Sequence, residues 1–198
     1  IIVTTAPAFR FSGVYKKYPI NNKTNTILIA LPIGLNDSVN IITVLSESLD
    51  IYDTVNFNIN IKPHPSLSIK KLIKRSGKYW KKIFKIIDGD FNNCVVNSNL
   101  LIGSTSSTLI ETLTRGIPVI VISSQHGLTQ NPIPETVDNR IWKLCSTPEE
   151  LCLQIRHYIN HSDEDRRRLN SIGKEIRDAY FEPITKNSVN KFLSKNNI

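Results

Sequence analysis

An α/β fold, a parallel sheet with helices on both faces, is what this sequence predicts, and three observations carry the prediction. From Thr26 onward, short apolar runs alternate with longer amphipathic stretches, as strands joined by crossover helices do. The run Val119 to Ile122 is continuous, apolar and β-branched, which marks a strand covered on both faces. Polar turns rich in hydroxyls or bounded by prolines follow the apolar runs directly. In an open parallel sheet, ligands bind at those strand ends.

The first strand is Ile27 to Leu31, ended by Pro32 and Gly34. Asp37 is a candidate N-cap, after which Val39, Ile42, Leu45 and Leu49 recur at helical spacing. In Phe57 to Lys62, isoleucines alternate with asparagines, so one face is buried and the other more polar. Pro63 and Pro65 stop this strand. The stretch Ser66 to Lys82 reads as a surface helix broken near Gly77, its lysines facing water. A short strand, Phe84 to Ile87, leads to a small helix carrying Phe91, Val95 and Val96, then to a strand over Leu100 to Ile102.

The polar turn GSTSST comes next, then a helix from Ser107 to Arg115, stopped by Gly116 in the left-handed position and by Pro118. Val119 to Ile122 is the next strand and Ile141 to Leu144 a weaker one. Thr147 caps a helix with Pro148 at its first position and Glu149 and Glu150 near its positive end. The last helices cover Asp163 to Tyr180 and Val189 to Leu193.

The 198 residues, 40% hydrophobic and 21% charged, suit one globular core and exclude disordered and collagen-like classes. The longest apolar stretch, Ile27 to Leu35, is broken by Pro32 and Gly34 and falls short of the roughly 20 residues that span a bilayer. Cys94, Cys145 and Cys152 follow no metal-ligand or disulfide spacing, so a reducing cytoplasm is expected. The chain opens IIVTTAPAFR and contains no Met, which suggests a fragment. The net charge of +8 is local: nine basic residues and no acid lie between Lys62 and Lys85, and the sixteen basic residues elsewhere face 17 acids.

Three clusters follow strands: Lys62 to Pro65, Gly103 to Thr108 and Ser123 to Gly127. The turn Gly103, Ser104, Thr105, Ser106, Ser107, Thr108 joins a strand to a helix whose first N–H groups lack internal partners, an arrangement that suits phosphate. Gly103 leaves the backbone open to an anion, and Glu111, four residues after Ser107, shares its helical face and suits a ribose diol. The plain alternative is that these hydroxyls only cap a helix. His64, between two prolines, has a restricted backbone that aims its ring, and an imidazole there suits charge stabilisation or general-acid work on a departing phosphate. His126 is a candidate contact to base or sugar, with a structural role equally open. His157 and His161 read as structural.

A strand ending in KPHP, followed later by GSTSSTLIETLTRGIPVIVI, resembles the carboxyl-terminal half of GT-B glycosyltransferases. The nearest families are bacterial polysialyltransferases, capsule-polysaccharide transferases and teichoic-acid glycerophosphotransferases, with their His-Pro and serine motifs. The resemblance covers Ile27 to Phe192 and implies a Rossmann-like, nucleotide-binding domain. It implies that His64 and Pro65 contact the donor's phosphate, that Ser106 and Ser107 hold phosphate, and that Glu111 binds ribose. It further implies residues 1–26 as a linker from an amino-terminal domain, 27–180 as the donor domain, and 181–198 as a returning helix. The family's general base lies in the amino-terminal domain, so the fragment is expected to be inactive alone. No cofactor or metal is expected. The expected partners are a CMP-, CDP- or UDP-linked donor, which Lys62 also helps to bind, a polysaccharide or glycolipid acceptor, the chain's own amino-terminal domain and the anionic inner face of the membrane, with no nucleic acid. A sugar-nucleotide 2-epimerase is one alternative. A non-catalytic module binding anionic polymer or membrane through Lys62 to Lys85 is another.

Overall fold

The computed structural model describes residues 7, 9–16, 25–51, 57–125 and 129–195. Among these residues, six strands form one open sheet: β1 (Thr26–Ala30), β2 (Asn58–Lys62), β3 (Phe84–Ile86), β4 (Leu100–Gly103), β5 (Val119–Ile122) and β6 (Trp142–Cys145). All pair in parallel, in the order β3-β2-β1-β4-β5-β6. This is the Rossmann-like order, and it places the change of winding direction between β1 and β4.

Among the described residues, seven α-helices accompany the sheet: α1 (Leu35–Ile51), α2 (Ile69–Ser76), α3 (Phe91–Val96), α4 (Thr108–Leu113), α5 (Pro148–Ile159), α6 (Asp163–Tyr180) and α7 (Lys186–Lys195). Successive strand residues point to opposite faces, and the core divides accordingly. Ile27, Ile29, Ile59, Ile61, Ile102, Ile120 and Ile122 pack with Ile41, Leu45, Leu72, Leu151 and Ile155 of α1, α2 and α5. Leu28, Ala30, Leu101, Val119 and Val121 pack with Val95, Leu109, Leu113, Leu169 and Ile172 of α3, α4 and α6. Both faces are therefore covered. Each fully buried aliphatic side chain contributes roughly 1.5–3 kcal/mol.

Several boundaries differ from those the sequence predicts. α1 begins before Asp37 because the Gly34 carbonyl already accepts the Ser38 N–H at 3.0 Å. Asp37 sits in the first turn instead of preceding it. Ser66 lies in a turn closed by the Leu67 N–H on the His64 carbonyl at 2.9 Å, so α2 starts only at Ile69. Gly77, at φ 51°, ends that helix as expected. α7 starts at Lys186, since Thr185 and Ser188 cap each other reciprocally, the Thr185 N–H on Ser188 Oγ at 2.9 Å and the Ser188 N–H on Thr185 Oγ1 at 3.0 Å. The Thr147 cap holds: its side chain accepts from the Glu150 N–H at 3.2 Å.

Gly116, at φ 72°, closes the turn after α4. A Cβ on Gly173 would lie 2.4 Å from the Gly116 nitrogen and 2.6 Å from the Leu113 carbonyl oxygen. Bare backbone therefore lets α6 rest directly on that turn. Phe9–Tyr15 forms 3₁₀ turns that meet the segment after α6. Phe11 stacks edge-on against Phe181 at 5.4 Å, and the Tyr15 hydroxyl donates to the Phe181 carbonyl.

Candidate functional site

The register of the sheet places the predicted residues along one rim. Lys62 pairs with Ala30, and Ile102 pairs with Ile29, so Gly103 lies beside Ala30. Lys62, Ala30 and Gly103 thus form one row at the carboxyl ends of β2, β1 and β4. Strands about 4.8 Å apart put the ends of β2 and β4 about 10 Å from each other. His64 follows the first by two residues and Ser104 to Ser107 follow the second, so both groups border the end of β1. The winding reverses beside it, between β1 and β4, where open α/β sheets form their ligand crevice.

Parity decides which face Lys62 takes. Ile61 packs on the α1 side, so Lys62 projects to the α3 and α4 side, the face on which the Gly103 turn enters its helix. Its charge is felt there: burial pushes the Cys94 thiol of α3 up, and the Lys62 ammonium offsets part of that rise.

His64 is exposed while Pro63 is buried, which fixes the backbone and leaves the ring outside. Nδ1 of His64 accepts the Ser66 N–H at 3.2 Å. In the neutral ring, the proton then sits on Nε2, which is left to donate to a ligand. Pro65 is exposed at the corner of the same turn.

The hydroxyls of the second cluster divide their roles. Ser106 Oγ accepts from the Thr108 N–H at 3.3 Å and from Thr108 Oγ1 at 2.8 Å, so Ser106 supplies the local cap. Ser107 is half-buried and its side chain makes no capping bond to α4. Ser104 is 6% exposed, and its Oγ is a buried hydroxyl without a hydrogen-bond partner among the described residues. Thr105 is exposed and Glu111 is half-buried, one turn beyond Ser107. Gly103 differs from the role expected of it. A Cβ there would meet Leu109 Cδ2 at 2.9 Å and the Ala30 carbonyl oxygen at 3.2 Å, so the missing side chain makes room for protein and leaves no opening for an anion. His126 and Gly127 lie outside the described residues.

The other border of the crevice carries no motif in the sequence. Asn36, Asn40, Arg75 and Gln125 line a groove of about 350 Å³ beside the start of α1, and the buried Asn40 amide donates to the Ser123 carbonyl at 3.0 Å. A polar amide set among Val39, Ile41 and Ile42 was the available signal. That these residues meet depends on strand order. A larger cavity, about 680 Å³, opens at the opposite rim between Tyr15, Arg115, Lys174 and Arg177. None of the strand-end hydroxyls or His64 reaches it, so volume alone does not locate the chemistry.

Seven of the nine basic residues from Lys62 to Lys85 are exposed, namely Lys70, Lys71, Lys74, Arg75, Lys78, Lys82 and Lys85. Lys81 is committed to Asp50 at 2.5 Å. No helix among the described residues is long and apolar enough to cross a membrane.

No protein family and no curated protein matches this sequence. Solved structures match its fold. TarM is 17% identical over 92% of this chain with a TM-score of 0.62. Anabaena HepE, solved with UDP and glucose, is 12% identical over 94% with a TM-score of 0.62. The UDP-GlcNAc 2-epimerase of Methanocaldococcus jannaschii, solved with UDP-GlcNAc and UDP, is 20% identical over 81% with a TM-score of 0.51. This chain spans 37%, 54% and 46% of those three chains, respectively. At such identities the likeness is one of architecture: an open, six-stranded parallel sheet with helices on both faces.

Proposed function

We propose that this chain is the donor-binding half of a glycosyltransferase that moves a sugar, or a polyol phosphate, from a CMP-, CDP- or UDP-linked donor to a surface or capsular polysaccharide. The observation that carries this reading is the row Lys62, Ala30, Gly103, which brings His64 and the hydroxyl turn to one rim beside the winding reversal. A gap of about 10 Å between them suits a nucleoside diphosphate better than a lone phosphate. Neighbours of the same fold solved with UDP and glucose support that ligand class.

In this scheme the acceptor hydroxyl attacks the donor's anomeric carbon, or its phosphorus for a polyol phosphate. The bond to the nucleotide's phosphate oxygen breaks, and its electron pair stays on that oxygen. The Nε2–H of His64 and the Lys62 ammonium stabilise the charge as it develops, with Ser106 and Ser107 donating from the other side. The acceptor's proton passes to a base on a separate amino-terminal domain, connected through residues 1–26, with 181–198 returning toward it. The donor half alone is inactive. No cofactor or metal takes part. Pro65, Ser104, Thr105, Thr108, Glu111 and His126 complete the donor pocket. The enzyme works in the cytoplasm at the inner face of the membrane.

The test is titration of CMP, CDP and UDP into the chain, read by calorimetry. Saturable binding weakened by His64→Ala and Ser107→Ala supports the assignment, and a folded sample that binds none of the three overturns it.

The epimerase of the same fold supports a second reading, a sugar-nucleotide 2-epimerase. In that case the complete enzyme would interconvert UDP-sugar epimers without any acceptor. The exposed basic strip supports a third, a module that binds anionic polymer or membrane. Lys74, Lys78 and Lys82 carry that test, because Lys81 is held by Asp50. Replacing the three with Gln abolishes salt-sensitive polymer binding under this reading and leaves nucleotide binding intact under the first.

A further inference from the structure

We propose that His157 and His161 form a two-imidazole chelate for a divalent transition-metal ion at the rim opposite the donor crevice. In sequence alone both residues read as structural. The two Nε2 atoms lie 3.3 Å apart, with ring centroids 4.8 Å apart and planes at 85°. Metal–nitrogen bonds of about 2.0–2.1 Å in a tetrahedral site make neighbouring ligand nitrogens about 3.3–3.4 Å apart, so the two atoms already stand at the required edge length. Two imidazole nitrogens this close share either a proton or a metal between them.

The rings are held in place. Both pack against Tyr158, at 5.1 Å from His157 and 5.3 Å from His161, and Tyr158 is itself 2% exposed and donates to the Arg140 carbonyl at 3.3 Å. A groove of about 150 Å³, bordered by Arg140, Asp165 and Arg168, opens beside the pair and leaves room for an ion and its waters. The two arginines are not free charges, since Arg140 is paired with Asp138 and Arg168 with Glu164. Asp165 is the carboxylate of this groove, fastened to Ser162. Burial holds His161 below the ordinary histidine value, which keeps its ring in the ligand form.

Among the described residues, no three His, Cys, Asp or Glu side chains gather as metal ligands, so solvent completes the coordination. Imidazole nitrogens select Zn²⁺, Cu²⁺ or Ni²⁺ over Mg²⁺ and Ca²⁺. His157 belongs to α5 and His161 to the link into α6. A bound ion therefore clips the end of one helix to the start of the next and stabilises the fold by mass action.

The experiment titrates NiCl₂ into the EDTA-stripped, desalted chain by calorimetry, with a parallel melting curve. One ion per chain and a melting temperature that rises with NiCl₂ are expected, and both are lost in His157→Ala and in His161→Gln. His157 is exposed, so its replacement leaves the fold intact by circular dichroism. Cu²⁺ bound to the wild type should show an electron paramagnetic resonance signal with two nitrogen couplings. Binding that survives in the His157→Ala/His161→Gln double variant, or wild-type chain that takes up neither Ni²⁺ nor Cu²⁺, overturns the proposal. The readouts use no nucleotide, so failure here is separate from failure of the donor-site reading.

Discussion

The Ser66 N–H donates to Nδ1 of His64 at 3.2 Å, within the turn that the His64 carbonyl closes on the Leu67 N–H. One residue thus anchors both its backbone and its ring before any ligand arrives. Preorganisation of this kind separates a positioned donor from a mobile surface imidazole.

Replacing His64 should accordingly affect chemistry and spare stability. In the transferase proposed above, His64→Ala is expected to lower the turnover rate by about 100-fold, the scale of losing one preorganised donor to developing charge. The ring is exposed, so the urea midpoint should hardly move. Initial-rate kinetics beside a denaturation curve checks both, and unchanged turnover would remove His64 from the mechanism.

The two adjacent serines should separate. Ser106→Ala strips the acceptor from the Thr108 N–H and hydroxyl and is expected to cost about 1 kcal/mol. Ser107→Ala removes no capping bond and should leave stability within error while weakening nucleotide affinity. Urea unfolding and calorimetry on the pair provide the comparison.

Gly173→Ala is expected to destabilise by about 3 kcal/mol, because the added methyl meets the Gly116 nitrogen and the Leu113 carbonyl, backbone atoms that cannot rotate away. Gly116→Ala should be at least as damaging. Its methyl would lie 2.7 Å from Asn170 Cα, and the positive φ adds about 1–2 kcal/mol. Chemical denaturation of the two variants measures this.

Stability should fall on mild acidification. Burial, helped by His157, holds His161 below the ordinary value of 6.5, while Asp165 opposes that shift and Arg166 adds to it. The unfolded chain then binds more protons than the folded one between 6.5 and the lower folded value, so stability drops as pH falls through that window and levels off beneath it. Asp138, held down by Arg140, and Asp165, held down by Ser162, add stability above the usual carboxylate range that is lost only at more acid pH. Denaturant midpoints taken in EDTA across this range should show the first drop in the wild type and not in His161→Gln.

The strands and helices were legible because each has a local cause. Val119 to Ile122 is apolar at every position and Thr147-Pro148 is a local start signal, and both elements form where expected. Asp37 resembles a cap in sequence, but a cap depends on which carbonyl accepts the first bond, and here Gly34 takes that place. Ser106 and Ser107 have the same chemistry in sequence, and only side-chain geometry shows that the first one caps. His157 and His161 looked bland because an i, i+4 pair reveals nothing about ring rotation until Tyr158 packs beneath both.

Periodicity and turn chemistry, which act over a few residues, determined by themselves that this chain makes a parallel α/β sheet and that His64 and the hydroxyl turn each follow a strand. Only the tertiary structure decided that β1 lies between β2 and β4, that Lys62 and Gly103 therefore share one row, and that Asn36, Asn40 and Arg75 border the same rim. Strand order is the outcome of packing two covered faces across the whole chain, and no local pattern encodes which strand becomes whose neighbour.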